Sequence, residues 1–241
     1  MSLSFLDGAG KFAGLHQLIE ELQKFVENQP LAYKYIARVF SASRKNPAAE
    51  HEQVKVLIKV TIEHPLSELS AEEQRKLVSI LEKVYACPES DFQRVRSDFL
   101  EFVLFRWSRF FIPGLATAKL HMEPTVRDGG NNISQYDKHC DFVWHWRDDV
   151  PLVFCECKAN IYNTINVGKS LQKQGEGKEK ILYMHECHDY LQKCYAVPRM
   201  MLAFYNEEYE DVEETLESWG MPYFEFLGPR EIISQVASVQ P

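Results

Sequence analysis

The sequence predicts an α/β protein. A helical N-terminal region over residues 1–88 is followed by a core over 89–241, in which a mixed central sheet with an antiparallel three-strand meander is flanked by helices. Three observations predict it. Apolar residues between 11 and about 86 recur at helical spacing. Between Ala116 and Ala159 three strand-like stretches follow one another through short turns, and links that short join antiparallel neighbours. Beyond residue 168, helical patterns alternate with short apolar strands, as in α/β folds.

In the first helix Leu15, Leu18, Ile19, Leu22, Phe25 and Val26 keep one face apolar, and Asn28-Gln29-Pro30 breaks it. Pro30 suits the first turn of a second helix, about 30–43, with Tyr33, Ile36, Ala37 and Phe40 on one side. A loop at Asn46-Pro47 leads to a third helix over about 48–63. Ser70 and Glu73 form a capping box before Leu77, Ile80, Leu81 and Val84. Pro88 closes this block. Ser90 and Gln93 predict another capping box, with a helix from about Asp91 to Phe111, before Pro113-Gly114. From Phe99 onward that helix is apolar on nearly every side, so it is expected to be buried, and Glu101 within it should have a partner, a proton or a metal.

Ala116 to about Val126 then reads as one strand. Asp128-Gly129-Gly130-Asn131-Asn132 reads as a turn, Gln135 to Trp146 as a second strand, Arg147-Asp148-Asp149 as a turn and Pro151 to Ala159 as a third strand. A Gly/Lys/Gln-rich segment over 168–180 precedes a helix to about Tyr195, a strand from Met200 to Tyr205 and an acidic helix over about 207–219. Gly220 is placed to cap that helix, a last strand runs from Pro222 to Leu227, and Pro229 opens a terminal helix.

Bulk properties narrow the function classes. The chain has 241 residues, 45% of them hydrophobic, and a formal net charge of −8. Residues 1–110 carry 15 basic and 15 acidic side chains, whereas 111–241 carry 12 and 20, with seven acids between Glu207 and Glu217. Overall charge therefore gives no support to polyanion binding, and any nucleic-acid contact must come from local basic patches. No apolar run reaches the roughly 20 residues that span a bilayer, so no membrane partner is expected. The N-terminus lacks the basic and apolar regions of a signal peptide, which makes a cytoplasmic location the expectation. Of the six cysteines, Cys155 and Cys157 fit as small core residues on one face of a strand.

The chemistry concentrates in Val153-Phe154-Cys155-Glu156-Cys157-Lys158. On a strand, Glu156 and Lys158 share a face of an otherwise apolar element, and burying such charges is costly unless they are used. Asp141 precedes Glu156 by fifteen residues with one turn between. On neighbouring strands both carboxylates can reach the same end of the sheet, with Lys158 beside them and Glu101 reaching in from the preceding helix. Hard oxygen ligands suit Mg²⁺ or Mn²⁺. The lysine can orient or deprotonate an attacking water, or offset developing charge.

The order Glu101, Asp141, Glu156-Cys157-Lys158 resembles the PD-(D/E)xK nuclease superfamily, with its restriction-endonuclease-like fold. The resemblance covers about 90–241 and leaves the earlier helices outside it. It implies a metal-dependent nuclease that hydrolyses phosphodiester bonds, most simply a DNA endonuclease acting as a homodimer. Its catalytic set would be Lys158, Glu156, Asp141 and Glu101. Asp141, Glu156 and the backbone carbonyl of Cys157 would hold Mg²⁺ or Mn²⁺, with Glu101 as an outer or second-metal ligand. The sequence has His139-Cys140 where the family often places a proline before the Asp. It also has no clear Gln-x-x-x-Tyr element, which points away from the exonuclease branch. The alternative is a non-catalytic nucleic-acid- or protein-binding module on the same fold, since a fold alone does not establish a function.

Lys169, Lys173, Lys178 and Lys180 form the best local basic patch and are candidates for phosphate contact. Arg94, Arg96, Arg106 and Arg109, with Trp107, are further candidates to face a duplex. His185-Glu186-Cys187-His188 with Cys194 matches no closed four-ligand zinc spacing. His139 and His145 flank Asp141 and are expected to be neighbours rather than ligands. Gly175-Glu176-Gly177-Lys178 lacks the spacing of a P-loop.

Overall fold

The structure, a computed structural model, describes residues 3–8, 16–45, 50–112, 114–146, 151–175 and 177–237. In chain order the elements are β1 (Leu3–Leu6), α1 (Gln17–Asn28), α2 (Ala32–Ala42), α3 (His51–Ile62), α4 (Ala71–Tyr85), α5 (Glu89–Phe111), β2 (Lys119–Met122), β3 (Thr125–Asp128), β4 (Asn131–Asn132), β5 (Phe142–His145), β6 (Val153–Lys158), α6 (Lys178–Cys194), β7 (Arg199–Phe204), α7 (Glu210–Ser218), β8 (Phe224–Leu227) and α8 (Pro229–Ala237). The fold is α/β, with a three-stranded antiparallel sheet in the order β1-β3-β4 and a mixed five-stranded sheet in the order β2-β5-β6-β7-β8. Among the described residues no helix is long and apolar enough to cross a membrane.

Two compact units share the chain. One comprises Met1–Ala13, Ile112–Ala203 and Glu208–Leu227, and the other Gly14–Phe111, Phe204–Glu207 and Gly228–Pro241. The second is helical and includes α5, so it extends past the boundary expected at residue 88. Leu22, Ile36, Phe40, Phe92 and Phe99 are fully buried in it. The predicted cap of α4 forms reciprocally: Ser70 Oγ accepts from the Glu73 N–H at 3.3 Å, and Glu73 Oε2 accepts from the Ser70 N–H at 2.7 Å. The second predicted capping box does not form. Helix α5 starts earlier, with the Phe92 N–H already donating to the Pro88 carbonyl, and Gln93 turns its side chain to the Arg44 carbonyl and to Glu89. Arg96 and Trp107 are buried, and Arg96 Nε donates to the Phe40 carbonyl at 2.9 Å. These two are core residues and not candidates to face a duplex.

The other unit holds both sheets. The expected meander is present as β2-β5-β6, antiparallel throughout, with Met122 opposite Phe142 and Phe142 opposite Cys155. Its strands are shorter than expected. Ala116–Val126 is two strands in different sheets, because Glu123 takes a left-handed φ of 46° before Pro124 and turns the chain out of the first sheet. Strand β3 pairs with the N-terminal β1, which the sequence reading did not anticipate, and turns back through Gly129 and Gly130, both at positive φ, into β4. The stretch Gln135–Trp146 is a strand only from Phe142 to His145, so Asp141 stands immediately before β5. Its backbone still continues the ladder, its carbonyl accepting from the Glu123 N–H at 3.0 Å.

Strand β6 is central and buried along its length except at Lys158, which is why it reads as nearly continuously apolar. Helix α6 links it to β7, and the Arg199 N–H meets the Leu152 carbonyl at the starts of both strands. Strands β7 and β8 are parallel. Helix α7 ends as expected at Gly220, φ 80°, with the Gly220 and Met221 N–H groups donating to the Glu217 and Leu216 carbonyls. The expected loop at Asn46-Pro47 and the turn at Arg147-Asp148-Asp149 lie outside the described residues.

Candidate active site

Asp141, Glu156 and Lys158 come together as their spacing predicts. The antiparallel register of β5 with β6, continued by one pair, sets Asp141 opposite Glu156. Asp141 is buried, and its Oδ2 accepts from the backbone N–H of Cys157 at 2.6 Å. That bond takes the place of a ladder bond at the strand mouth and fixes the carboxylate against β6. Glu156 is 0% exposed. Burying a carboxylate so fully costs several kcal/mol unless it is compensated, and here two ammonium groups approach it. Lys158 Nζ lies 2.5 Å from Oε1. Lys180 Nζ lies 3.0 Å from Oε2. Lys180 also donates to the carbonyl of His139, two residues before Asp141.

The electrostatics follow from burial and charge. Burial raises the pKa of the Glu156 carboxyl, and the neighbouring Asp141 charge raises it further, against the opposing pull of Lys158 and Lys180. Burial alone would lower the Lys158 pKa, but the charges of Glu156 and Asp141 override it and hold the ammonium above its ordinary range. Two carboxylates and two ammonium groups leave the cluster close to neutral. Burial first, then the Glu156 charge, pushes Cys140 well up, and burial pushes Cys187 up to about 12. Cys155 and Cys157 are buried core residues, as expected.

Hard-cation chemistry fits this donor set. Glu156 Oε1 is buried, with the Lys158 ammonium 2.5 Å from it. Asp141 and Glu156 supply hard oxygens. Among the described residues no three His, Cys, Asp or Glu side chains converge as a ready cluster, so a cation here would rest on the carboxylate pair, backbone oxygen and water. At Cys157 it is the N–H that has a defined role, on Asp141. Glu101 lies half-buried on α5, in the helical unit.

The basic patch divides. Lys169 and Lys173 stand exposed on the loop after β6, and Lys178 is half-buried at the start of α6. The loop is built rather than open: buried Gln174 accepts from the Asn166 N–H at 2.7 Å and donates to the Asn166 and Lys169 carbonyls. Lys180 leaves the patch and enters the site, a role the sequence reading did not give it. His139 is exposed and contributes its carbonyl, whereas the His145 ring lies tilted against Phe5, ring centroids 4.8 Å apart. His185 and His188 stack on Tyr223.

Neither a scan against protein-family models nor a search of curated proteins gives a match to this chain.

Proposed function

We propose that the protein is a metal-dependent nuclease of the PD-(D/E)xK type, most simply a DNA endonuclease. The observation that carries this reading is the fully buried Glu156 beside Asp141, with the partly exposed Lys158 against its Oε1. Asp141 and Glu156, with the Cys157 carbonyl, would hold Mg²⁺ or Mn²⁺. When bound, such a cation neutralises a phosphodiester oxygen and lowers the pKa of water. The near-neutral cluster then becomes cationic overall, the charge state that a phosphodiester and a hydroxide can balance.

Water adds its oxygen to phosphorus, the bond to the leaving ribose oxygen breaks, and the proton released from water ends on that oxygen. Lys158 is the residue placed to meet this charge. Its ammonium lies 2.5 Å from Glu156 Oε1, where it can orient or deprotonate the attacking water or offset developing negative charge. Lys169 and Lys173, exposed on a clamped loop, are candidates for contact with flanking phosphates. Cutting both strands of a duplex needs two sites, which a symmetric homodimer would supply.

The net charge of −8 favours a second reading, a non-catalytic binding module in which the cluster is a structural ion network. Incubation with plasmid, linear duplex, single-stranded DNA and RNA separates the two. The nuclease reading expects Mg²⁺- or Mn²⁺-dependent cleavage that EDTA stops. No cleavage of any substrate, or equal cleavage by Lys158→Ala, leaves the binding module.

A further inference from the structure

Lys180 differs from Lys158 in the way it holds the same carboxylate. Its ammonium spans two acceptors, Glu156 Oε2 at 3.0 Å and the His139 carbonyl. Lys158 stands 2.5 Å from the other oxygen, Oε1. Lys180 thus ties the chain leading into Asp141 to the carboxylate of Glu156, while Lys158 stands over the oxygen that remains.

The base of Lys180 is equally constrained. It lies in the first turn of α6, where a positive charge opposes the helix dipole. That turn is pinned on both sides. Gly177 sits so close to Thr164 that a Cβ there would fall 2.8 Å from the Thr164 Cα. Glu179 pairs with Lys138 at 3.0 Å, beside His139. An ammonium placed against the dipole, on a fixed turn, with two acceptors from the two segments that carry the carboxylates, serves the geometry of those carboxylates.

We propose that Lys180 is a positioning residue: it locks Glu156 Oε2 and the approach to Asp141 together, so that Oε1 faces a divalent cation and Lys158 is the ammonium that gives way. The inference rests on the metal-dependent reading above. Partners that orient metal ligands typically change affinity by about 10–100-fold when removed. Simple electrostatics predicts the opposite sign, because deleting a nearby positive charge should tighten cation binding.

The test is Mn²⁺ titration, followed by the paramagnetic resonance of the free ion, on the full chain. Its variants are Lys180→Met, Lys180→Arg, Lys158→Met and Asp141→Asn. Lys180→Met should weaken Mn²⁺ binding by about tenfold or more, Lys180→Arg should recover it, and Lys158→Met should bind as tightly as the parent or more tightly. Lys180→Gln, which keeps a donor without the charge, replaces Lys180→Met if the latter does not fold, with weakening again expected. Equal or tighter binding by the Met or Gln variant overturns the inference, as does an Arg variant no better than Met. If the parent binds no more Mn²⁺ than Asp141→Asn, the metal-dependent reading itself fails and takes this inference with it.

Discussion

Asp141 and Glu156 repel each other at the mouth of β5 and β6, and Lys158 and Lys180 stand against Glu156 and offset that repulsion. Sites held in that way usually sacrifice stability for function. Asp141→Asn keeps an acceptor for the Cys157 N–H and removes the repulsion. It should leave the thermal midpoint unchanged or higher while abolishing cleavage, and a clear fall in the midpoint would argue that Asp141 is structural. The same repulsion sets a pH dependence. Burial and then Asp141 raise the Glu156 pKa above 4.5, so the folded state keeps a proton that the unfolded chain has released. Its contribution to stability is full below pH 4.5 and is lost as pH rises through the folded pKa. Cation binding needs the carboxylate, so at limiting Mn²⁺ the acid limb of binding should lie above pH 4.5. A half-point at or below 4.5 would contradict it. The spacing of Asp141, Glu156 and Lys158 was enough to find these three, because two short antiparallel strands leave few places for their side chains to go.

At the scale of elements, α6 organises the irregular chain before β5. Glu179 holds Lys138, Lys180 holds the His139 carbonyl, Glu186 accepts from Ser134 Oγ at 2.7 Å and the Gln135 N–H at 2.9 Å, and Tyr190 donates to Asp128 at 2.7 Å. These side chains replace a sheet ladder over much of 128–141, and for that reason a stretch that reads as one long strand forms only the four residues of β5. Sequence spacing carries no mark of such a seam, nor of Lys180 as a site residue, since both depend on where the helix docks. Gly177→Ala tests the docking directly. The added methyl must displace Thr164 or the first turn of α6, a cost of about 1–3 kcal/mol for an overpacked contact. Urea unfolding should show that loss together with slower cleavage, and an unchanged midpoint would show that the turn has room to move. In the helical unit, Ser70→Ala removes one half of the α4 capping box and should cost about 0.5–2 kcal/mol with no effect on cleavage.

For the whole molecule, the order of elements was legible but their grouping was not. Helical periodicity, the three-strand meander and the later alternation all fall where expected, because each is a local pattern of burial. The grouping depends on contacts distant in sequence. Strand β1 pairs with β3 across more than a hundred residues, and α5 packs with α1 and α4 in the helical unit. A cut at residue 88 therefore removes β1 from its sheet and strips α5 of its partners. The fragment 89–241 should fail to unfold cooperatively in urea, whereas a sharp transition with native-like circular dichroism would restore the simpler two-block division. The proposed function requires that the buried carboxylates of Asp141 and Glu156 bind a divalent cation for phosphodiester chemistry. Anomalous scattering from a crystal grown with Mn²⁺ tests it most directly. The account predicts one strong peak in contact with both carboxylates and the Lys158 ammonium withdrawn from Oε1. No peak there, with Lys158 and Lys180 still on Glu156, would contradict it.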